Sequence, residues 1–139
     1  MIAIESPDDL QRAFAIRRRV FIEEQQVPGE IELDADDAHA FHALALIDGE
    51  AVGTGRMLEH GADEVKIGRM AVLKNLRERG IGQRILRFLM EHARSRGRTK
   101  AVLHAQISAE GFYLKEGYVP IGEVFDEAGI PHRTMERAL

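Results

Sequence analysis

Apolar and polar positions along the 139-residue chain change period several times, and each change marks an element. Residues 1–5 fit a short first strand. Ser6 then supplies an N-cap, Pro7 suits the first helical turn, and Asp9 completes a spacing like a capping box. Leu10, Ala13, Phe14, Val20 and Phe21 give the following helix an apolar stripe that ends before Pro28. Residues 29–38 carry Glu30, Glu32, Asp34, Asp36 and Asp37 with few apolar anchors and read as an exposed acidic loop. Residues 41–47 and 52–58 are strand-like runs flanking Asp48-Gly49, a hairpin turn pair. Gly61 marks a turn before a third strand over 65–73. Next, Ile81, Ile85, Phe88, Leu89 and Ala93 recur at helical spacing, with Arg84, Arg87, Glu91 and Arg94 on the other face. A strand over 101–107, a short helix, and a last hairpin (119–125 and 132–138) around Gly129-Ile130-Pro131 complete the chain. The pattern predicts a mixed α/β sandwich in the order β-α-β-β-β-α-β-α-β-β.

The chemistry concentrates where the third strand meets the long helix, at Arg77-Glu78-Arg79-Gly80-Ile81-Gly82. A strand, a glycine-bearing turn and a helix start bring unpaired backbone N–H groups together. Such a terminus carries roughly half a positive charge and binds phosphate readily. Gly80 and Gly82 let an anion approach the backbone, and Arg77 and Arg79 add cationic donors. A kinase-type phosphate loop would need Gly-Lys-Ser/Thr, which is absent. A dinucleotide fingerprint would need a third glycine, where this chain has Gly-Ile-Gly-Gln-Arg-Ile.

What remains, Arg-x-x-Gly-x-Gly after a strand, resembles the GNAT superfamily of N-acetyltransferases. A second resemblance follows about thirty residues later, in Ser108-Ala109-Glu110-Gly111-Phe112-Tyr113-Leu114-Lys115-Glu116-Gly117-Tyr118: a short helix with a Phe-Tyr pair, closed by glycine and an aromatic residue. Phe21-Ile22-Glu23-Glu24-Gln25-Gln26-Val27-Pro28 and Ala128-Gly129-Ile130-Pro131-His132 are similar to the small bacterial YjcF/ElaA-like branch. The resemblance spans nearly the whole chain. It implies a GNAT fold, with a mostly antiparallel sheet splayed between the strands that bracket the main helix. It also implies acetyl-CoA as co-substrate, with its pyrophosphate on residues 77–82 and on Gln83 in the first helical turn. By the same resemblance Phe112 contacts the coenzyme. The edge of Met70-Ala71-Val72 pairs with the pantetheine arm and offers a backbone N–H to the thioester carbonyl.

Tyr113, by its place in the motif, is the expected proton donor to the departing thiolate; its alternative is an aromatic that only packs. Many members of the superfamily carry a glutamate base on the strand before the loop, but this chain has Ile67-Gly68-Arg69 there. His104 is the candidate base, because a neutral imidazole accepts an amine proton near pH 7; its alternative is the structural role that a lone strand histidine more often has. Glu24 and Glu123 are further candidates acting through a water. Arg69 binds either an acidic substrate group or a nearby carboxylate. Glu24, Gln25, Phe125 and His132 are the expected wall of the acceptor pocket.

Composition narrows the class without changing the picture. One domain over residues 1–139 is expected, with 45% hydrophobic and 30% charged residues. The net charge of −4 argues against a general nucleic-acid binder, so Arg17-Arg18-Arg19 and the helix arginines read as solvated faces. There is no cysteine, hence no disulfide and no thiol nucleophile. The early acidic residues argue against a signal peptide, and no apolar run could span a bilayer, so a cytoplasmic protein is expected. Asp36, Asp37, His39 and His42 suggest a metal cluster, but positions 39 and 42 on a strand face opposite sides, and no metal is expected. The expected activity is acetyl transfer from acetyl-CoA to a primary amine, directly within a ternary complex, by a monomer or homodimer without nucleic-acid or membrane partners. The alternatives are a non-catalytic acyl-CoA-binding regulatory module and, third, a nucleic-acid binder.

Overall fold

The computed structural model describes residues 1–139, with side chains for all but Glu30 and Ile31. Seven strands form one sheet in the order β1-β2-β3-β4-β5-β7-β6. They are β1 (Ile2–Ala3), β2 (Phe41–Ile47), β3 (Glu50–His60), β4 (Glu64–Val72), β5 (Lys100–Gln106), β6 (Val119–Glu127) and β7 (Ile130–Ala138). The helices are α1 (Pro7–Arg17), α2 (Gly29–Glu32), α3 (Ile81–Ser95) and α4 (Glu110–Lys115). All neighbouring strands are antiparallel except β4 and β5. The mixed, mostly antiparallel α/β fold expected from the sequence is the fold observed. No helix among the described residues is long and apolar enough to cross a membrane.

The two long helices lie on opposite faces, as strand alternation requires. On β2, Ala43 and Ala45 join Ile85, Leu89 and Ala93 of α3, whereas Leu44 joins Ala13, Ile16 and Val20 on the α1 side. Helix α3 sits close to the sheet because β3 carries glycine beneath it. A Cβ on Gly55 would lie 2.8 Å from Ile85 and from the Met70 sulfur. The expected hairpin at Asp48-Gly49 forms with both residues at positive φ (50° and 81°), the twist that a two-residue turn needs.

Two features of β4 shape the cleft. Arg56 pairs with Gly68 and Thr54 with Ala71, so Arg69 and Met70 together oppose Gly55 in a β-bulge, with Arg69 at φ 51°. The extra residue reverses the alternation: Val65 and Ile67 pack on the α3 side, Ala71 on the α1 side. Pairing with β5 also stops there. It runs from Glu64–Lys100 to Ile67–Leu103, and beyond that rung the strands part.

Several expectations are corrected. The first helix does not run uniformly to Pro28; after Arg17 it widens into a π-helical stretch, Arg18–Glu24, which shifts the face that Val20 presents. The last turn is Ala128-Gly129 (φ 54° and 79°), with Ile130 and Pro131 already in β7. His39 lies beyond the end of a 3-10 turn, Ala35–Ala38, rather than on a strand, while His42 is buried and donates from Nε2 to the Asp37 carbonyl, 3.0 Å away. The largest correction concerns the acidic stretch and the arginine run. Arg17 is 1% exposed, and Glu32 and Asp37 are 2% and 8% exposed. The Glu30 side chain lies outside the described residues.

Arg17 donates from Nε to Glu32 (2.6 Å) and from Nη1 to Asp37 (2.7 Å), with its guanidinium 5.1 Å from the Phe14 ring centre. Arg56 on β3 joins Asp37 (2.9 Å) to Asp34 (2.7 Å), and Arg69 reaches Asp34 at 3.2 Å. An unpaired charge in such a position would be expelled, so the acids and arginines enter together. Burial pushes the Asp37 carboxyl up, but hydrogen bonds and charge from Arg17 and Arg56 outweigh it and hold the group at about 2. The folded value lies below the unfolded 3.8, so the stabilisation is complete above about pH 4 and is lost as pH falls toward 2. Urea midpoints measured across that window should fall with acidification. The Asp37→Asn variant should be less stable at pH 7 and less sensitive to pH within the window.

Candidate active site

Where β4 and β5 part, a cavity of about 460 Å³ opens on the sheet face away from α3. On one flank the β4 backbone from Gly68 to Val72 pairs with β3 on one edge and has no strand on the edge that faces β5. On the other flank, alternation along β5 turns His104 and Gln106 toward the opening, while Ala101 and Ala105 face the core and Leu103 belongs to the core and borders the cavity. Gln25, Arg69, His104, Tyr113 and His132 all line this cavity, together with Met70, Ala71, Val72 and Arg77. The fold thus gathers residues more than a hundred positions apart in the chain.

The loop after β4 runs into the start of α3. Gly80 is the N-cap at φ 79°, and no side chain caps the helix. The first helical bond runs from the Arg84 N–H to the Gly80 carbonyl (3.1 Å), so the N–H groups of Ile81, Gly82 and Gln83 precede the helix's own bonding. Glu78 also takes positive φ (65°), and Glu78, Arg79 and Gly80 are exposed. Phe112 does not line the cavity; its ring would lie 3.6 Å from a Cβ on Gly82, so it backs the start of α3.

Arg77 is not simply a cation at the rim. Its Nε donates to Val72 O (3.0 Å), and its two terminal nitrogens hold Glu24 at 2.6 and 2.8 Å. That hydrogen bond, working against modest burial, lowers the Glu24 pKa. Glu24 therefore stands at the mouth of the loop and is not among the lining residues of the acceptor side. Gln25 does reach that side, bonded to Gln106 at 2.9 Å. Arg69 lines the cavity while its Nε donates to the Glu32 carbonyl (3.0 Å), so of its two expected roles the carboxylate contact with Asp34 is the one observed. Glu123 is exposed within a bulge of β6, outside the cavity.

Tyr113 packs edge-on against Phe112 (5.0 Å) and Tyr118 (5.9 Å). Burial pushes its phenol up to about 12, so it carries its proton at every ordinary pH. Across the opening, His104 Nδ1 lies 2.9 Å from Glu127 Oε1. The Phe125 ring stands edge-on to His104 at 5.0 Å and near-parallel to His132 at 6.1 Å, and it does not line the cavity. Glu127 is one lining residue that sequence reasoning missed, along with Arg56, Lys66 and Gln106. Its signal is the turn: once the bend is placed at 128–129, Phe125 pairs with His132 and Glu127 with Ile130, which puts Glu127 on the face that Phe125 and His132 share.

A splayed β4–β5 pair, a bulge on β4 and an uncapped helix start after it are the architecture of one acyl-transfer family, and the sequence pattern of the acetyltransferase (GNAT) domain matches residues 6–139. The chain belongs to that family. This GNAT chain is 37% identical to the N-acetyltransferase YjcF of Bacillus subtilis (strain 168), over 96% of each chain. It is 34% identical to the protein ElaA of Escherichia coli (strain K12), covering 95% of this chain and 89% of ElaA. Among solved structures, an acyl-CoA N-acyltransferase from Pseudomonas aeruginosa superposes at a TM-score of 0.85, with 29% identity over 96% of this chain and 93% of that one. The GNAT assignment and the YjcF/ElaA-like branch agree with the resemblance that the sequence motifs carry.

Proposed function

We propose that this GNAT protein is a cytoplasmic enzyme that moves an acetyl group from acetyl-CoA to a primary amine, directly within a ternary complex. The observation that carries the reading is the free edge of β4 leading into the uncapped start of α3. An extended pantetheine arm adds to residues 70–72 as a strand would, and the pyrophosphate meets the N–H groups of residues 81–83 with Arg79 beside them. Arg77 ties the loop to β4 through Val72 O.

The amine nitrogen attacks the thioester carbonyl carbon, forming a C–N bond and an oxyanion. A backbone N–H of the bulged stretch holds that oxygen, a contact worth roughly 3–4 kcal/mol in acyl transfer. The C–S bond then breaks, and the sulfur leaves with the electron pair. His104 takes the proton that the amine loses, Tyr113 hydrogen-bonds to the departing sulfur and supplies its proton, and the proton held on His104 returns through solvent to Tyr113 as the site resets. The products are an amide and the free thiol of coenzyme A.

Acetyl-CoA binding by calorimetry, followed by thiol release across polyamines, amino acids, aminoglycosides and peptides, tests this. Saturable binding with turnover on at least one amine class is expected. Tight binding with no turnover on any amine would overturn the enzymatic reading in favour of an acyl-CoA-binding module, a role compatible with Gly68 standing where many relatives carry a glutamate.

A further inference from the structure

The acceptor flank holds a cluster that the acetyl-transfer reading uses only in part. Glu127, at the end of β6, lies between two histidines from two other strands. Its Oε1 is 2.9 Å from His104 Nδ1 on β5, and its Oε2 is 3.5 Å from His132 Nε2 on β7. The side chain of Glu127 is 42% exposed and borders the cavity, so it is accessible to an acceptor. We propose that Glu127 is a positioning residue of the acceptor site, whose carboxylate keeps the proton of His104 on Nδ1 and thereby presents the Nε2 lone pair to the incoming amine. The proposal rests on the acetyl-transfer reading above for its chemistry, and on the side-chain geometry alone for its structure.

An ionised carboxylate only accepts hydrogen bonds, so at 2.9 Å the proton between the two groups belongs to His104 Nδ1. A neutral ring then has its lone pair on Nε2, which is the form that takes a proton from an amine. Glu127 stays ionised. Burial raises its pKa, and the His104 hydrogen bond with the charges of His104, His132 and Lys66 lowers it further than burial raises it. His132 supports this from behind: its Nδ1 is 2.7 Å from Ile130 O, which also only accepts, and its Nε2 faces Glu127. Phe125 closes the third side of His104 and fixes the ring plane. The remaining charges facing the cluster are Lys66 on β4 and, one cross-strand step away, Glu136, which is turned to Lys100 at 2.7 Å. This arrangement moves the proton-accepting group from β4, where Gly68 leaves open space, to the opposite lip of the cleft.

Two readouts test it in the full-length protein. In the first, 15N spectra of histidine-labelled protein at neutral pH report the tautomer of each ring, with His104 assigned by comparison with His104→Asn. His104 should be protonated at Nδ1 in the wild type and become a mixture in Glu127→Gln. A ring protonated at Nε2 in the wild type, or one unmoved by Glu127→Gln, would overturn the proposal. In the second, Glu127→Gln should lower kcat/KM for the amine by about 10–100-fold with acetyl-CoA affinity unchanged, and Glu127→Asp should restore part of it. Unchanged kcat/KM in Glu127→Gln would also overturn it. If no amine is turned over by the wild type, the enzymatic reading fails, while the tautomer measurement still decides the role of Glu127.

Discussion

Arg17→Ala is expected to cost about 3–5 kcal/mol of folding stability, a large share of what a domain of this size has. The reason is what the substitution leaves behind. Glu32 would keep its burial without the guanidinium that holds it at 2.6 Å, and Asp37 would retain only Arg56. Denaturant unfolding should show a lowered midpoint with an unchanged slope. Replacing both partners, as Arg17→Met with Glu32→Leu, should recover much of the loss, because a buried ion pair is often no better than apolar residues of similar volume. A midpoint for Arg17→Ala within about 1 kcal/mol of the wild type would show that the pair is hydrated in solution. The network also bears on activity: Arg56, Asp34 and Arg69 line the cavity, so loosening it releases the acceptor wall.

Tyr113→Phe is expected to lower kcat by about 10²-fold, in the range of a lost proton donor, with little change in KM for acetyl-CoA. The ring contacts with Phe112 and Tyr118 survive the substitution, so stability should move little. Held at about 12, the phenol should add no alkaline limb to the rate profile in the ordinary range. An ordinary thiol, at roughly 8.5, is the stronger acid, so Tyr113 acts first as a hydrogen-bond donor to sulfur and completes the transfer only as the amine gives up its own proton. Full turnover by Tyr113→Phe at saturating acetyl-CoA would remove the residue from the mechanism.

Local signals made much of the architecture legible. Asp48-Gly49 is a pair that adopts the positive-φ hairpin turn easily, and the spacing of Ile85, Leu89 and Ala93 specifies a buried helical stripe. The loop at 77–82 was legible because its chemistry lies within one short segment. Arg17, Glu32 and Asp37 were not: in sequence they are a charged run and an acidic run, and only the packing of α1 against β2 and β3 brings them under one roof. The same holds for Arg77 and Glu24, which look like a phosphate contact and a pocket wall until a bidentate pair joins them. Glu127 depended on a turn that sits at 128–129 rather than around 129–131, since in a hairpin moving the turn changes every cross-strand partner.

The four rungs between β4 and β5 also govern how this protein comes apart and together. The β2–β3–β4 meander and the β6–β7 hairpin each join neighbours in sequence, whereas β4 meets β5 only after the chain has travelled the length of α3. Loop closure of that kind comes late in folding, after local pairing. Two leaves therefore form before the spine that binds them, and the spine is where they should first separate under hydrogen exchange. Amides of residues 64–67 and 100–103 should exchange sooner than those of β3 and gain protection when a coenzyme strand bridges the gap.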